Sequence, residues 1–295
     1  MKIALATCRD LPEWEIDDRP LEAAFQDADI TIEKPVWDDD NVNWSVYDAC
    51  LIRTTWDYSQ RRARFVNWAQ RVAGQTLLLN SAEIVRWNTD KRYLRDLESA
   101  GVPTIPTRWL EQGEAASVER LLAERNWDRA FLKPVVGASS VGTMRFRRTA
   151  DDMAQAQRHL DQWLATHAMM LQPYYESVET EGEYSVIFVE GEPTHAVRKT
   201  PVPGDYRVQD DYGAHDEPAQ LNNEDIRVAR RAVAGVAHAP LYARADFLRC
   251  PDGVLRMNEL ELVEPSLFFR HSPTAAVTLA HATIERVRSS GRIAS

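Results

Sequence analysis

Four charged residues in the last fifth of the chain are spaced as partners on paired strands. They are Arg244 and Asp246 in Arg244-Ala245-Asp246, then Glu259 and Glu261 in Asn258-Glu259-Leu260-Glu261. Period-two alternation turns each pair to one face, so all four groups can converge if the strands pair. Three carboxylates that close repel one another in a partly buried site unless cations neutralise them, and an all-oxygen set suits Mg²⁺. Metal-bridged phosphate is the chemistry such a set would serve. Taken alone, Glu-x-Glu also reads as an exposed acidic sheet face with Arg244 as its surface partner.

A second group lies a hundred residues earlier. Lys133 is one of only five lysines, and it ends an apolar stretch at the start of Lys133-Pro134-Val135-Val136-Gly137-Ala138-Ser139-Ser140-Val141-Gly142-Thr143. A lysine at a strand end can reach a phosphate. Small residues after it let backbone N–H groups approach, and Ser139 and Ser140 add hydroxyl donors. The loop leads into another strand, not a helix, which excludes a Walker-type phosphate loop. By itself it reads equally as an ordinary Gly/Ser hairpin.

A third constellation is Arg53-Thr54-Thr55-Trp56-Asp57-Tyr58, directly after an apolar strand and so at the carboxyl edge where open α/β sheets bind ligands. Arg53 suits a substrate carboxylate through a two-pronged hydrogen bond, and Asp57 suits an amino group. Trp56 and Tyr58 read equally as packing between lobes. Thr7-Cys8-Arg9-Asp10 ends the first strand and can bring Arg9 to the same pocket. Cys8 has no identifiable partner base, and the seven histidines show no metal spacing.

The elements needed to position these residues follow from periodicity. Apolar runs predict strands at 3–6, 49–52, 77–79, 107–110, 131–133, 143–147, 169–172, 184–189, 194–199, 242–248 and 255–262. Helices are predicted at 21–28, 65–72, 81–87, 90–100 with Thr89 as N-cap, 118–125, 151–166, 225–237 and 273–288. Residues 201–218 are polar, rich in Gly, Pro and Asp, and read as a long loop of the functional or mobile kind.

Composition narrows the function classes. A 295-residue chain with 44% hydrophobic and 27% charged residues has the makings of two or three packed lobes and hence a cleft. A net charge of −10 without a basic run disfavours nucleic acid or an anionic membrane as partner and favours a small-molecule substrate. Three cysteines without CxxC spacing, and no signal-like or membrane-length apolar stretch, point to the cytoplasm. Association with further copies of itself stays open.

In content and order, these motifs resemble the ATP-grasp superfamily, nearest its prokaryotic glutathione synthetase-like carboxylate–amine ligases, over essentially the whole chain. The resemblance implies an α/β (α+β) ATP-grasp fold. An N-terminal open α/β substrate lobe would occupy residues 1–88 and the ATP-grasp domain 89–295, with a small lid lobe at about 104–172 and a metal-binding lobe at about 173–295. It implies ATP and Mg²⁺, with Lys91 and Lys133 on the phosphates, the adenine hinge at Gln172-Pro173-Tyr174 and Glu183 on the ribose. Arg244-x-Asp246 and Glu259-x-Glu261 match the family's Arg-x-Asp and Glu-x-Asn, with glutamate in place of asparagine, so Asp246, Glu259 and Glu261 would hold the metals. An arginine that some relatives place after the ribose acid is absent, and Arg198, Lys199 or Arg207 is expected to compensate.

The implied reaction phosphorylates a substrate carboxylate and lets an amine attack the acylphosphate, with Arg244 stabilising the oxyanion. Chain length and the Arg53–Tyr58 signature also resemble the cyclo-ligases that close the D-cycloserine ring on a single substrate. A two-substrate peptide ligase stays open, as does a nucleotide-binding sensor that has lost turnover.

Overall fold

The computed structural model describes residues 1–11 and 17–291. Near the N-terminus β1 (Lys2–Thr7), α1 (Arg19–Asp27), β2 (Thr31–Glu33), β3 (Ala49–Thr54), α2 (Arg62–Ala73), β4 (Leu77–Leu79) and α3 (Ala82–Asn88) build a parallel sheet in the order β2-β1-β3-β4. Every residue of β3 is buried, as expected of a parallel strand covered on both faces. Helix α2 buries Phe65, Trp68, Ala69 and Val72 at helical spacing, and Trp37 meets Phe65 edge-on at 5.1 Å.

After α4 (Tyr93–Ser99) come β5 (Arg108–Leu110), α5 (Val118–Arg125), β6 (Arg129–Pro134), β7 (Met144–Arg147), α6 (Ala150–Leu164) and β8 (Met169–Pro173). They form an antiparallel sheet in the order β5-β8-β6-β7. The remaining elements are α7 (Ser177–Thr180), β9 (Glu183–Val189), β10 (Glu192–Thr200), β11 (His215–Pro218), α8 (Asn223–Ala234), β12 (Tyr242–Arg249), β13 (Leu255–Glu261) and α9 (Pro273–Ser289). Their antiparallel sheet runs β11-β10-β9-β12-β13. The mixed α/β class expected from the sequence is what these three sheets give, and no helix among the described residues is long and apolar enough to cross a membrane.

Three expectations need correction. Thr89 does not cap the helix after it. It is the C-cap of α3, its hydroxyl bonds back to the Val85 carbonyl at 2.8 Å, and α4 starts only at Tyr93. The polar stretch 201–218 is not all loop: its last four residues form β11, an edge strand on β10. Helix α8 stops at Ala234, three residues short of the expected end, with Gly235 as its C-cap. The short strand β2 went unanticipated because only Ile32 of its three residues is partly buried.

Strand β13, which carries Glu259 and Glu261, lies at the edge of its sheet. Its free edge is satisfied by other parts of the chain. Met257 exchanges backbone hydrogen bonds with Pro103 and Ile105. The Leu260 N–H donates to the Tyr93 hydroxyl at 2.8 Å, the Asn88 amide donates to the Leu260 carbonyl at 2.8 Å, and the Leu262 N–H donates to Asn88 Oδ1 at 2.8 Å. An edge closed this way cannot recruit a foreign strand and is held in register for the site. Asn88→Ala leaves two buried backbone groups unpaired, so urea denaturation is expected to show a loss of about 2–4 kcal/mol. A loss under about 0.5 kcal/mol, within the range of ordinary surface substitutions, would mean that the edge is held without Asn88.

Candidate active site

The five-stranded sheet concentrates charge on one face because its registers align alternate residues of neighbouring strands. Lys199 of β10 lies opposite Glu183 of β9, Ser185 of β9 opposite Asp246 of β12, Asp246 opposite Glu259, and Arg244 opposite Glu261 of β13. Period-two alternation delivers all of them to one side. Lys199 pairs with Glu183 at 2.5 Å and with Asp246 at 3.4 Å. Arg244 holds Asp246 at 3.0 Å and also pairs with Glu261. Ser185 donates its hydroxyl to Asp246.

Burial works against each of these charges, and the partners decide the outcome. Burial alone would raise Asp246, but Arg244 and Lys199 outweigh it and hold the carboxyl below its usual range. Burial pushes Glu261 up to about 7; Arg244 opposes this, while the negative charges of Asp246 and Glu259 add to it. Burial draws Lys133 down to about 8. Lys199 stays above the usual lysine range because Asp246 and Glu183 overcome its burial.

Lys133 reaches this face from β6 of the neighbouring sheet, and Lys91 from the turn between α3 and α4. Lys133 donates to Asn258 Oδ1 at 3.0 Å, and the Asn258 amide reaches Glu183 at 2.5 Å. Lys91 pairs with Glu259 at 2.8 Å and donates to the Gly137 carbonyl at 2.7 Å, joining the Gly/Ser loop to β13. In that loop Ser139 and Ser140 take positive φ values of 49° and 56°. At Gly142, φ is +73° and an added Cβ would stand 2.5 Å from the Trp163 ring, so only glycine fits.

The segment between β10 and β11 fastens to the loop from the other side. Ser140 donates to Gln209 at 3.0 Å, Tyr212 donates to the Ser139 carbonyl at 3.1 Å, and the Thr143 and Tyr206 hydroxyls share a bond of 2.9 Å. At its far end Asp210 and Asp216 both pair with Arg270, and His271 also pairs with Asp216.

Between these parts lies a cleft of ≈ 470 Å³. It is lined by Lys91, Lys133, Ser139, Ser140, Gln172, Pro173, Tyr174, Glu183, Lys199, Arg207, Arg244, Asp246, Glu259 and Glu261. The Gln172 side chain turns to the Thr107 hydroxyl at 2.9 Å. Of the residues expected to replace the missing arginine, only Lys199 stands on the charged face. Arg198 is one residue out of phase and pairs with Glu217, while Arg207 is held by Asp205 at 2.6 Å and stacks on Tyr212 at 3.8 Å.

The substrate constellation divides. Trp56, Asp57 and Tyr58 line the cleft. Arg53 does not: its guanidinium is buried against Asp18 at 2.7 Å and donates to the Pro265 carbonyl at 3.1 Å, so the expected grip on a carboxylate is spent inside the protein. Thr54 bonds Thr7 at 2.7 Å and Thr55 is fully buried, both away from the cleft. Arg9 stays largely exposed, 3.9 Å from Asp38, and also misses the cleft. Asp57 accepts from the Trp37 indole at 2.7 Å and pairs with Arg61, so its charge is already matched.

Alternation missed Asn258, which should share the Leu260 face. The β12–β13 register slips here: Asp246 faces Glu259 but Phe247 faces Met257, leaving Asn258 as the extra residue of a bulge that turns it into the cleft. Glu264 was missed because it follows the strand, where no period applies. Burial and then the charge of Glu261 push its carboxyl up to about 8.

The donor set suits a hard cation, being carboxylate oxygens only, and Glu261 stays raised by burial even though Arg244 pairs with it. Among the described residues no three His, Cys, Asp or Glu side chains already stand together as a metal cluster, and Lys91, Lys199 and Arg244 pair with the carboxylates of this face.

Comparison with known proteins fits this geometry. Residues 3–80 match the family "D-cycloserine synthetase DcsG, N-terminal domain", and residues 104–241 match "Prokaryotic glutathione synthetase, ATP-grasp domain". The cycloserine biosynthesis protein DcsG of Streptomyces lavendulae is 35% identical over 290 residues, covering 93% of this chain and 95% of that protein. The chain belongs to the DcsG family of ATP-grasp ligases. A crystal structure of D-cycloserine synthetase DcsG superposes with a TM-score of 0.89 at 32% identity, covering 97% of this chain and all of that one. The D-alanine–D-alanine ligase of Bacillus anthracis, at 13% identity and a TM-score of 0.71 over 98% of both chains, shares the fold. A glutathione synthetase of Prochlorococcus marinus is 27% identical over 157 residues, covering 53% of this chain and 47% of that protein. As a member of the DcsG family, the chain is an ATP-using, ADP-forming carboxylate–amine ligase.

Glu261 and Glu264 bind protons more tightly folded than unfolded, having moved from 4.5 to about 7 and about 8. Their contribution to stability is therefore present below about pH 4.5 and is lost as the pH rises through about 7 to 8. Glu264→Gln removes its share of that loss. In urea denaturation of the ligand-free protein, the variant is expected to gain on wild type by roughly 3 kcal/mol between about pH 5 and pH 8. A difference that does not change with pH would contradict the assignment.

Proposed function

We propose that this ligase closes the D-cycloserine ring, using ATP to activate the carboxylate of an amino-acid-like substrate that is then attacked by a nitrogen of the same molecule. The observation that carries the reading is the N-terminal match at 3–80. The lobe that supplies Trp56, Asp57 and Tyr58 is similar to that of D-cycloserine synthetase, whereas the glutathione synthetase match covers the nucleotide-binding part. The division proposed is a substrate lobe at 1–88 and an ATP-grasp domain at 89–295, with its lid at about 104–172 and its metal-binding lobe at about 173–295. The setting proposed is the cytoplasm.

In this mechanism the substrate carboxylate takes up the γ-phosphoryl group and ADP leaves. The nitrogen then attacks the acyl carbon, phosphate departs with the C–O electron pair, and the nitrogen gives up a proton. Lys91, Lys133 and the loop through Ser140 hold the phosphates. Gln172, Pro173 and Tyr174 frame the base, and Glu183 takes the ribose. Arg244 and Lys199 face the oxyanion, where preorganised charge in a desolvated site acts most strongly. Asp246, Glu259 and Glu261 would hold Mg²⁺, which neutralises phosphate charge when bound.

Two measurements test the scheme. Glu259→Gln is expected to lower kcat for ADP release by at least about 100-fold while circular dichroism stays that of wild type, and wild-type turnover would overturn the metal assignment. Mass spectrometry of reactions with one amino-acid-derived carboxylate should show a product formed by loss of the elements of water. A product that joins two supplied substrates would assign the two-substrate reaction instead.

A further inference from the structure

We infer that Glu264 seats the substrate's primary ammonium group and makes the cleft select amino-acid-like molecules over their deaminated counterparts. The inference rests on the ring-closing reading and specifies how the substrate side of that same cleft recognises its ligand.

Glu264 lies just beyond β13, at the boundary between the charged face and the wall made by Trp56 and Tyr58. Both side chains of that wall meet it. The Trp56 indole donates to its main-chain carbonyl at 3.0 Å, and the Tyr58 hydroxyl, beside Trp56, is raised by burial and then by the neighbouring Glu264 carboxyl.

Nearby acids of the cleft are matched: Glu261 by Arg244, Glu259 by Lys91 at 2.8 Å, Asp57 by Arg61, and Asp17 by Arg270 at 3.1 Å. Among the described residues Glu264 forms no ion pair, although Lys91 acts on it from a distance. Asp10 also borders the cleft but is exposed, where solvent screens a charge pair. A carboxyl sunk in a cleft without a counter-ion is costly for a protein to keep, unless a ligand brings the counter-ion.

The placement suits an α-amino acid. Arg244 donates to the Ser266 carbonyl at 3.1 Å, so the guanidinium that would face the reacting carboxyl is bonded two residues from Glu264. A ligand with an ammonium one carbon from its carboxyl fits the two neighbouring positions. The amine role expected of Asp57 thus passes to Glu264.

The test is calorimetric, with MgADP present, using D-cycloserine and the same ring without its amino group. Wild type is expected to bind D-cycloserine at least tenfold more tightly than the deaminated ring, and Glu264→Gln to bind both alike. The variant's continued binding of MgADP serves as the check that it is folded. Retained preference in the variant, or no preference in wild type, overturns the role of Glu264 and leaves the product assignment intact. Binding of neither ring by wild type overturns both the product assignment and the ammonium seat built on it.

Discussion

Removing a carboxylate or an ammonium group from water costs several kcal/mol, and the active face of this protein removes many of them at once. It is tolerable because the strand registers set opposite charges side by side: Lys199 against Glu183, and Arg244 beside both Asp246 and Glu261. Cross-strand pairing is normally a modest stabiliser. Here it decides whether the sheet can carry such a face at all, and it fixes the geometry of every group before any ligand arrives. The same arrangement keeps Glu261 near the point of titration, ready to exchange a proton or a neighbouring arginine for a stronger cation.

The other parts of the fold serve this face by holding its edge and its walls. Asn88 and Tyr93, from the helices that precede the smaller antiparallel sheet, take the place of a missing neighbour strand along β13. Arg53, buried with Asp18 and bonded to the Pro265 carbonyl, ties the parallel sheet to the segment that carries Glu264. These are long-range contacts between polar groups that have no alternative partner once buried, so they specify one relative arrangement of the three sheets.

Much of this was legible in the chain. Arg244, Asp246, Glu259 and Glu261 could be assigned to one face because alternation is a local rule and holds over 244–246 and 259–261, and Lys133 stood out as a lysine at a strand end before a Gly/Ser loop. Asn258 escaped because a bulge breaks the rule at that residue. Arg53 misled because its position at a strand end was visible, whereas its partner Asp18 is distant in sequence and carries no local signal. The strands β2 and β11 were not foreseen, being short edge strands whose few residues are too exposed to show an apolar period.

The segment between β10 and β11 touches the Gly/Ser loop through the side chains or hydroxyls of Tyr206, Gln209 and Tyr212, not through a backbone ladder. Three such bonds are worth roughly 1 kcal/mol each, well below the ~5–15 kcal/mol that holds a domain folded. The roof of the cleft is thus latched, not hinged shut. That contact can come undone one hydroxyl at a time while every sheet stays whole, with the Asp210–Arg270 pair still holding the segment on its other side.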